Sequence, residues 1–352
     1  MKGLLLSGGT GTRLRPLTYT GAKQLLPVAN KPVLVYAIEA LKAAGIADIG
    51  IVVGHTGEEV RSSIGNGERW GVHITYIPQA QPLGLAHAVL TASPFLGDQP
   101  FVMMLGDNLI HEGIAGAVRA FRAASPAAMV LVGAVAEPER FGVVEVRGDR
   151  VVRLAEKPAE FISDLALAGV YACSPVVQAA VRAITPSKRG ELEMTDALQW
   201  LVDRGYEVTC RVVAGWWKDT GRPDDLLEAN RLMLQGCGSL MDGRVDDRSD
   251  IAGNVRIECG ATIRGSTLRG PLAIGRDALI EDAYIGPYTS IGPGVTVRYA
   301  EIEHSIALEG SRIVGRFRLD RSLIGRLAVV GQSTGKPRAA RLILGDSSVC
   351  EW

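Results

Sequence analysis

The sequence predicts an α/β domain built on a mostly parallel β-sheet, followed by a left-handed parallel β-helix. Up to about residue 235, short β-rich runs alternate with amphipathic stretches of helical length, which is typical of βαβ units. After that point apolar residues recur every six positions, the period of a hexapeptide β-helix. The 352 residues suffice for two domains, and the change of period predicts domains at 1–236 and 237–352.

The elements of the first domain follow from its hydrophobic pattern. Runs of apolar and β-branched residues predict strands at 2–6, 49–53, 73–77, 101–105, 128–135, 143–146, 151–155, 167–171 and 207–213. Amphipathic stretches predict helices at 32–44, 58–64, 85–91, 114–122, 196–203 and 224–234. The first helix begins at Pro32, and proline suits the first turn of a helix. This order of elements predicts a Rossmann-like sheet.

The β-helix prediction rests on ten aliphatic residues in three series. Within each series the residues stand six positions apart, and glycine often follows such a position. An ordinary antiparallel sheet would instead show a period of two. The spacing slips by one between series, so we expect some coils to be irregular. The series are Ile251, Ile257 and Ile263; Leu279, Ile285, Ile291 and Val297; and Ile302, Leu308 and Val314.

Composition and charge exclude several classes of protein. With 47% hydrophobic and 22% charged residues, the chain has the apolar content of a globular core, which a disordered chain lacks. Lys+Arg and Asp+Glu both number 38, so the chain has no basic excess of the kind that nucleic-acid and membrane-surface binders carry. We therefore expect no nucleic-acid partner and no membrane partner.

Cysteine usage and the lack of a targeting segment predict a cytoplasmic protein. The cysteines are odd in number, far apart and without a Cys-x-x-Cys pair, which indicates reduced thiols. The histidines show no metal-ligand spacing. The apolar run after Lys2 stops at Ser7, too early for a signal peptide, and the run at 127–135 is too short to span a bilayer. The cysteines are Cys173, Cys210, Cys237, Cys259 and Cys350.

A glycine loop directly after the first predicted strand is the strongest signal for chemistry. Three glycines within four positions let backbone N–H groups converge on an anion, and Arg13 adds a guanidinium suited to phosphate. Leu14 stands where a dinucleotide fingerprint has its third glycine, and no Walker A motif is present. A plain tight turn is the alternative, but it would need no nearby Arg or Lys. The loop comprises Gly8, Gly9, Thr10, Gly11 and Thr12.

Further motifs follow in order along the first domain. They are Lys23-Gln24-Leu25-Leu26-Pro27, Asn30-Lys31-Pro32, Pro78-Gln79-Ala80-Gln81-Pro82-Leu83-Gly84, Leu105-Gly106-Asp107-Asn108, Arg140-Phe141-Gly142, Glu156-Lys157-Pro158, Gly169-Val170-Tyr171 and Trp217-Lys218-Asp219-Thr220-Gly221. Together with the glycine loop, this series resembles the sugar-1-phosphate nucleotidylyltransferases over the first 235 residues or so. The β-helix after it resembles the tail of the long thymidylyltransferases in that family.

The resemblance implies transfer of a thymidylyl group from dTTP to α-D-glucose 1-phosphate, giving dTDP-glucose and pyrophosphate. It implies that Arg13 and Lys23 contact the phosphates at the reacting centre. The nucleotide would bind to the glycine loop, Gln79, Gly84 and Asp107, and the Gln79 amide could read the pyrimidine edge because it offers a donor and an acceptor. The sugar phosphate would bind to Gly142, Glu156, Lys157 and Val170, with Glu156 accepting from sugar hydroxyls and Lys157 holding the phosphate.

Asp107 and Asp219 are the predicted metal ligands and, with Arg13 and Lys23, the predicted catalytic residues. Asp107 closely follows an apolar predicted strand, and Asp219 follows a second β-rich region. Two carboxylates at strand ends suit Mg²⁺, a hard cation that takes oxygen ligands and bridges phosphates. A turn residue or a helix cap is the alternative for each aspartate, but the accompanying glycine loop favours the metal.

Other functions stay open at this point. One is an enzyme that takes UTP or another hexose 1-phosphate, since thymine and uracil differ by one methyl group, worth about 1–3 kcal/mol in a pocket. Another is a catalytically inactive regulatory or assembly subunit, although such a protein has no need of the metal carboxylates. A third is a bifunctional enzyme whose β-helix transfers acyl groups with His304 as general base, but no acyl-CoA signature accompanies that histidine.

The β-helix contains none of the predicted chemistry, and we expect it to serve assembly and stability. Its open edges and flat sides favour contact with another copy, which predicts a homo-oligomer. A chain that ends near Gly236 should therefore keep measurable activity, with a moderate loss in rate.

Overall fold

The structure is a computed structural model that describes residues 1–19 and 21–331. The chain folds into two compact units that are not contiguous in sequence. The first comprises Met1–Thr10 and Val33–Asp219, and the second comprises Gly11–Pro32 with the chain from Thr220 onward. The cysteines at 173, 210, 237 and 259 carry free thiols, whereas Cys350 lies outside the described residues.

The strands up to residue 219 are β1 (Lys2–Ser7), β2 (Pro27–Val28), β3 (Lys31–Pro32), β4 (Asp48–Val53), β5 (His73–Pro78), β6 (Phe101–Leu105), β7 (Asn108–Ile110), β8 (Ala128–Ala134), β9 (Gly142–Arg147), β10 (Arg150–Glu156), β11 (Leu165–Cys173), β12 (Val208–Val212) and β13 (Trp217–Asp219). The helices are α1 (Val33–Ala43), α2 (Gly57–Ile64), α3 (Leu85–Thr91), α4 (Ser93–Leu96), α5 (Ala115–Ala124), α6 (Val177–Ala183), α7 (Met194–Asp203) and α8 (Pro223–Gln235). Short 3₁₀ turns lie at Thr12–Leu14, Lys23–Leu25, Glu68–Trp70 and Pro138–Arg140.

The first unit is built on a nine-stranded sheet in the order β5-β4-β1-β6-β11-β8-β12-β10-β9. The strands β5, β4, β1 and β6 are parallel neighbours, and Leu4 of β1 stands between Gly50 and Met103. Only β11 and β10 run against the direction of the other strands in this sheet. The sheet is therefore mostly parallel, as the alternation of strands and helices predicted. Its core joins Met103 and Val130 of the sheet to Val89, Val181 and Leu198 of the helices α3, α6 and α7.

In the second unit, the strands after α8 are β14 (Leu240–Met241), β15 (Arg244–Val245), β16 (Asp250–Ala252), β17 (Val255–Ile257), β18 (Thr262–Arg264), β19 (Thr267–Arg269), β20 (Leu272–Ile274), β21 (Leu279–Glu281), β22 (Tyr284–Ile285), β23 (Thr289–Ile291), β24 (Thr296–Arg298), β25 (Glu301–Glu303), β26 (Ile306–Ala307), β27 (Arg312–Val314), β28 (Arg318–Asp320), β29 (Leu323–Ile324) and β30 (Val329–Gly331). They form three parallel sheets of six, six and five strands, in which every third strand along the chain pairs with the next. This is the predicted left-handed parallel β-helix.

The length of one coil explains why the six-residue period slips. The strand partners Ile263, Ile280 and Val297 stand 17 positions apart, and each coil contributes one strand to each sheet. Three steps between inward side chains must therefore share 17 residues, so one step in three spans five residues. The expectation that Leu279 and Val314 face the core was wrong by one position, because Ile280 and Ile313 fill it while the predicted residues are half-buried.

The predicted strands and helices of residues 1–235 are present with bounds that differ by at most two residues. The sequence pattern did not predict α4, α6 or the short strands β2, β3, β7 and β13. No helix among residues 1–19 and 21–331 combines the length and the apolar character that crossing a membrane requires.

Candidate active site

The glycine loop begins where β1 ends, and two of its glycines have separate structural reasons. A Cβ on Gly8 would lie 3.2 Å from Oε1 of Gln79, so the absence of a side chain lets the loop approach that amide. Gly11 has a φ of +64°, a left-handed conformation that glycine adopts without strain. The Thr18 hydroxyl donates to the Gly11 carbonyl at 2.7 Å, and a Cβ on Gly11 would lie 3.2 Å from Cβ of Lys23. Gly11 therefore lets the loop turn tightly against Thr18 and Lys23.

Gln79 follows β5 and is held by its neighbours in the first unit. Its side chain is 9% exposed, and Nε2 donates to Nδ1 of His87 at 2.8 Å. His87, on α3, must accept through Nδ1, so a neutral ring carries its proton on Nε2. The sequence analysis assigned no role to His87, although it falls within the same motif region. The contact fixes which way the Gln79 amide points.

Gly84 caps the start of α3 in a conformation that only glycine fits. Its φ is +107°, and a Cβ there would lie 2.4 Å from the carbonyl oxygen of Leu192. The chain on either side of Gly84 is tied to Leu192, because Leu192 N–H donates to the Leu83 carbonyl and Ala86 N–H donates to the Leu192 carbonyl. The Gly84 backbone is therefore held rigidly five positions from Gln79.

The two predicted metal ligands meet at one end of a two-stranded ladder in the first unit. β7 pairs antiparallel with β13, and Asp219 stands opposite Asn108. Asp107 directly precedes Asn108 and is buried, with 7% of its surface exposed. The sequence analysis could not predict this ladder, because its strands are three residues long. The arrangement brings two carboxylates to adjoining strand ends, and such oxygen donors fit a hard divalent cation.

Asn108 supports this end of the ladder from the other side. Its Nδ2 donates to the Ala168 carbonyl at 2.8 Å. Gly169, with a φ of +72°, makes room for that amide, since a Cβ there would lie 2.4 Å from Nδ2. The Gly169-Val170-Tyr171 motif therefore has a packing reason. Val170, a predicted sugar-site residue, is buried on β11 opposite Met104.

The predicted sugar-phosphate residues lie where β9 and β10 pair. Glu156 ends β10 opposite Gly142, and a Cβ on Gly142 would lie 3.0 Å from Oε2 of Glu156. Lys157 follows with a φ of +43°, and its N–H donates to the Phe141 carbonyl at 2.9 Å. The Lys157 ammonium lies 3.8 Å from Oε1 of Glu156. The turn thus presents one carboxylate and one ammonium side by side.

Arg189 and Thr195 complete the surroundings of Glu156, and the sequence analysis did not single out either residue. Arg189 Nη1 lies 3.2 Å from Oε1 of Glu156, and Thr195 Oγ1 donates to Oε2 at 3.4 Å. Burial, followed by repulsion from Glu193, raises the pKa of Glu156, while Lys157 and Arg189 act in the opposite direction. The carboxylate is therefore partly desolvated but remains paired with cations.

The predicted site residues are divided between the two units. Asp107 and Asp219 are brought together in the first unit, as are Gly142, Glu156 and Lys157 at the sugar turn and Gly8, Gln79 and Gly84 near α3. Gly9 and Thr10 belong to the same unit and are exposed. Gly11, Thr12, Arg13 and Lys23 belong to the second unit, with Arg13 exposed on a 3₁₀ turn.

His304 occupies a turn on the surface of the β-helix. Its φ is +47°, its ring lies 5.4 Å from that of Tyr288, and its Nδ1 lies 3.2 Å from a carboxylate oxygen of Asp320. Glu303, His304 and Asp320 are close enough together for a metal, but Arg318 forms an ion pair with Glu303. These contacts account for His304 as a surface residue of the coil.

Comparison with known proteins gives one consistent family. The sequence model of the nucleotidyl transferase family matches residues 2–236. A glucose-1-phosphate thymidylyltransferase of Streptomyces griseus is 52% identical over 349 residues, which cover 99% of this chain and 98% of that protein. The enzyme of the same name from Streptomyces antibioticus is 50% identical over 353 residues, covering 100% and 99% of the two chains.

A solved structure agrees with these matches over the N-terminal part. A Bacillus anthracis protein, described as a candidate glucose-1-phosphate thymidylyltransferase and crystallised with sucrose, superposes with a TM-score of 0.62. It is 38% identical, and the match covers 66% of this chain and 94% of that one. Since the family match spans most of the chain and relatives of full length share half of its residues, the chain belongs to the nucleotidyl transferase family and is an enzyme of nucleotidyl transfer.

Proposed function

We propose that the chain transfers a thymidylyl group from dTTP to α-D-glucose 1-phosphate, giving dTDP-glucose and pyrophosphate. The observation that carries this proposal is the match at 52% identity, over 98% of its length, to a glucose-1-phosphate thymidylyltransferase. The adjoining Asp107 and Asp219, the glycine loop and the Glu156-Lys157 turn supply groups that this reaction needs.

The reaction is an in-line displacement at phosphorus. A phosphate oxygen of the sugar 1-phosphate bonds to the α-phosphorus of dTTP, and the bond from that phosphorus to the bridging oxygen of pyrophosphate breaks. Both substrates are anionic, so the protein must neutralise charge and align the two, without a covalent intermediate. We assign neutralisation to Arg13 and Lys23, alignment of the sugar phosphate to Lys157, and recognition of the sugar hydroxyls to Glu156.

Enzymes of the nucleotidyl transferase family generally use a divalent metal, and we propose Mg²⁺ held by Asp107 and Asp219. The donors suit it, because both are carboxylates at adjoining strand ends and Asp107 is largely withdrawn from water. When bound, the ion would neutralise charge on the triphosphate. Asp107 and Asp219 would in turn keep that charge next to the phosphates.

We further propose that Gln79 reads the thymine edge and that the enzyme is a cytoplasmic homo-oligomer. The contact with His87 orients the Gln79 amide, which leaves Oε1 beside Gly8. The free thiols of the described cysteines agree with a reducing compartment. The flat sides of the β-helix offer surfaces to a second copy.

A panel of triphosphates tests this function. The protein is incubated with Mg²⁺, glucose 1-phosphate and one of dTTP, UTP, ATP or GTP, and pyrophosphate release is followed. We expect the highest kcat/KM with dTTP and a lower one with UTP, because the pocket loses contact with one methyl group. A clear preference for UTP would make this a uridylyltransferase. No release with any triphosphate would favour the inactive subunit.

Replacement of the proposed metal ligands tests the chemistry. Asp107→Asn keeps the shape of the side chain but removes its charge, so we expect turnover to fall by about a thousandfold, similar to the loss of other single charge-stabilising groups. Asp98→Asn, at an exposed loop position, is the matched control and should keep the wild-type rate. An Asp107→Asn protein with a near-wild-type rate at saturating Mg²⁺ would exclude Asp107 as a ligand.

A further inference from the structure

A small hairpin in the second unit connects the segment that carries Arg13 and Lys23 to the β-helix. β2 and β3 pair antiparallel, and the turn between them consists of Ala29 and Asn30, with φ values of +48° and +61°. Left-handed conformations at two residues in succession define a tight turn, and asparagine tolerates them better than most residues. The turn begins six positions after Lys23 in the chain.

Asn230 of α8 fixes this turn through a fully used amide. Its Oδ1 accepts from Ala29 N–H at 2.8 Å and from the Ser290 hydroxyl at 2.7 Å. Its Nδ2 donates to the Tyr288 carbonyl at 2.9 Å. One side chain thus joins the hairpin turn, α8 and the strand β23 of the β-helix.

A second amide joins the turn to the β-helix directly. Asn30 Nδ2 donates to the Ile291 carbonyl, also in β23, at 2.9 Å. Leu17, four positions after Arg13, provides an apolar contact with a later coil, since a Cβ on Gly325 would lie 3.6 Å from Leu17 Cδ2. The segment is therefore held to the β-helix on both sides of Lys23.

The burial of Asn230 argues that these bonds have a purpose beyond filling space. Asn230 is 0% exposed, and a buried amide is costly unless every polar atom is paired. An apolar residue of α8 could fill the same space, but it would not specify where the turn lies. A buried polar group that is paired in one arrangement selects that arrangement over its alternatives.

The segment between the turn and the glycine loop is ordered enough to transmit this position. Leu26 N–H donates to the Lys23 carbonyl, and Leu25 and Leu26 are buried. Upstream, the Thr18 hydroxyl holds the Gly11 carbonyl, and Gly11 packs on Lys23. A shift of the hairpin turn would therefore move Lys23 with it.

We propose that Asn230 and Asn30, which together we name the turn anchor, are positioning residues through which the β-helix holds Lys23 and Arg13 for phosphate binding. The proposal rests on the proposed function, which assigns those two cations to the reacting phosphates. It gives the β-helix a part in catalysis besides assembly and stability.

The test compares full-length variants that differ in which bond they remove. Asn30→Asp keeps the left-handed turn but replaces the donor to Ile291 with an acceptor. Asn230→Ala removes both links made by that amide. Ser266→Ala is the matched control, because Ser266 is equally buried in the β-helix and donates to the Arg264 carbonyl, far along the chain from the turn.

We expect kcat to fall at least tenfold in Asn30→Asp and in Asn230→Ala, with the preference for dTTP over GTP unchanged because Gln79 lies in the first unit. Ser266→Ala should lower the melting temperature but keep kcat within twofold of the wild type. If both anchor variants fold and also keep kcat within twofold, the anchor is merely structural and the proposal is overturned. If Asn230→Ala does not fold, Asn30→Asp alone decides.

Hydrogen exchange separates this proposal from the proposed function. Amide exchange over residues 11–26 should accelerate in both anchor variants and stay unchanged in Ser266→Ala. If the wild-type protein releases no pyrophosphate from any triphosphate, the proposed function fails, and exchange still decides whether the anchor orders the segment. Unchanged exchange over 11–26 in both anchor variants would overturn the proposal whatever the activity.

Discussion

Glu156 is a carboxyl group whose surroundings favour binding over stability. Burial, and then the nearby Glu193, raise its pKa, although Arg189 and Lys157 lie within 4 Å. A desolvated carboxylate is a strong hydrogen-bond acceptor, which suits recognition of sugar hydroxyls. The same desolvation makes its ionised form less stable in the folded protein than in water.

Acidification should weaken sugar binding through Glu156. Because the pKa of Glu156 is raised, the carboxylate takes up a proton at a higher pH than an ordinary glutamate, and the KM for glucose 1-phosphate should begin to rise there. The KM is measured from pH 8 downward in the wild type and in Glu156→Gln. The substrate phosphate titrates near about pH 6 in both reactions, so the difference between the profiles isolates Glu156. Superimposable profiles would remove Glu156 from the sugar site.

The stability of Glu156→Gln provides the matching control. A carboxyl group whose pKa is higher in the folded than in the unfolded chain binds protons more tightly when folded, so its ionised form destabilises the fold above the unfolded pKa. Glu156→Gln should therefore melt at the wild-type temperature or higher at neutral pH, and any gain should vanish at low pH. A marked loss of stability at neutral pH would mean that the ion pair with Arg189 outweighs the desolvation.

Gln79 is expected to carry the choice of base. Gln79→Ala removes both the donor and the acceptor of the amide, so we expect a higher KM for dTTP and less discrimination against purine triphosphates. Gln81→Ala, which changes an exposed amide two positions further on, is the control and should leave both unchanged. The assignment fails if Gln79→Ala is active and keeps the wild-type order of triphosphates.

At the scale of the element, the β-helix shows what a coil of 17 residues does to a pattern of six. Ile263, Ile280 and Val297 stack in one sheet and stand 17 positions apart. Because 17 is not a multiple of three, no constant step follows the inward residues around the coil. A constant period of six therefore assigns Leu279 to the core in place of Ile280.

Paired substitutions test this register. Ile280 is fully buried in the β-helix core, so Ile280→Ala should cost about 2–5 kcal/mol and lower the melting temperature accordingly. Leu279→Ala changes the adjacent half-buried residue and should cost about 1 kcal/mol. Thermal unfolding of the two variants under identical conditions gives the comparison. Equal losses, or a greater loss for Leu279→Ala, would contradict the register.

The elements that could be predicted are those whose signal is local. β1, β4, β5 and β6 are apolar runs of five or six residues with one buried pattern, and their order along the chain predicts the parallel part of the sheet. The ladder of β7 and β13 joins residues about 110 positions apart through strands of three residues, too short for a periodic signal. The same holds for Asn230, which in the sequence is an ordinary polar residue of an amphipathic helix. Its burial depends on partners 201 and 60 positions away.

At the scale of the whole molecule, the units are not the domains that a change of period suggests. Gly11–Pro32, which holds Arg13 and Lys23, belongs with α8 and the β-helix, while Gly8–Thr10 and the paired aspartates belong to the other unit. A periodic pattern can only divide a chain into contiguous pieces, because it is read along the sequence. The boundary at 236 therefore stays a prediction about sequence texture.

Truncation after Gly236 tests the consequence of this division. The shortened chain keeps Asn30 and Asn230 but loses Tyr288, Ser290 and Ile291, the β-helix partners of those two amides. The sequence alone suggested a moderate loss in rate, whereas the turn anchor predicts a fall in kcat of at least tenfold even when circular dichroism shows a folded sheet. The order of triphosphates should be preserved, since Gln79 lies in the first unit.

Combining the truncation with Asn230→Ala makes this prediction specific. If the rate is lost because the anchor has lost its β-helix partners, Asn230→Ala should reduce kcat much less in the shortened chain than in the full chain, since residues in one hydrogen-bond network are not additive. If the rate is lost for an unrelated reason, such as dissociation of an oligomer, the two effects should multiply. Measuring kcat for the four proteins of this cycle distinguishes the two, and a folded truncated chain with the wild-type kcat would contradict the anchor altogether.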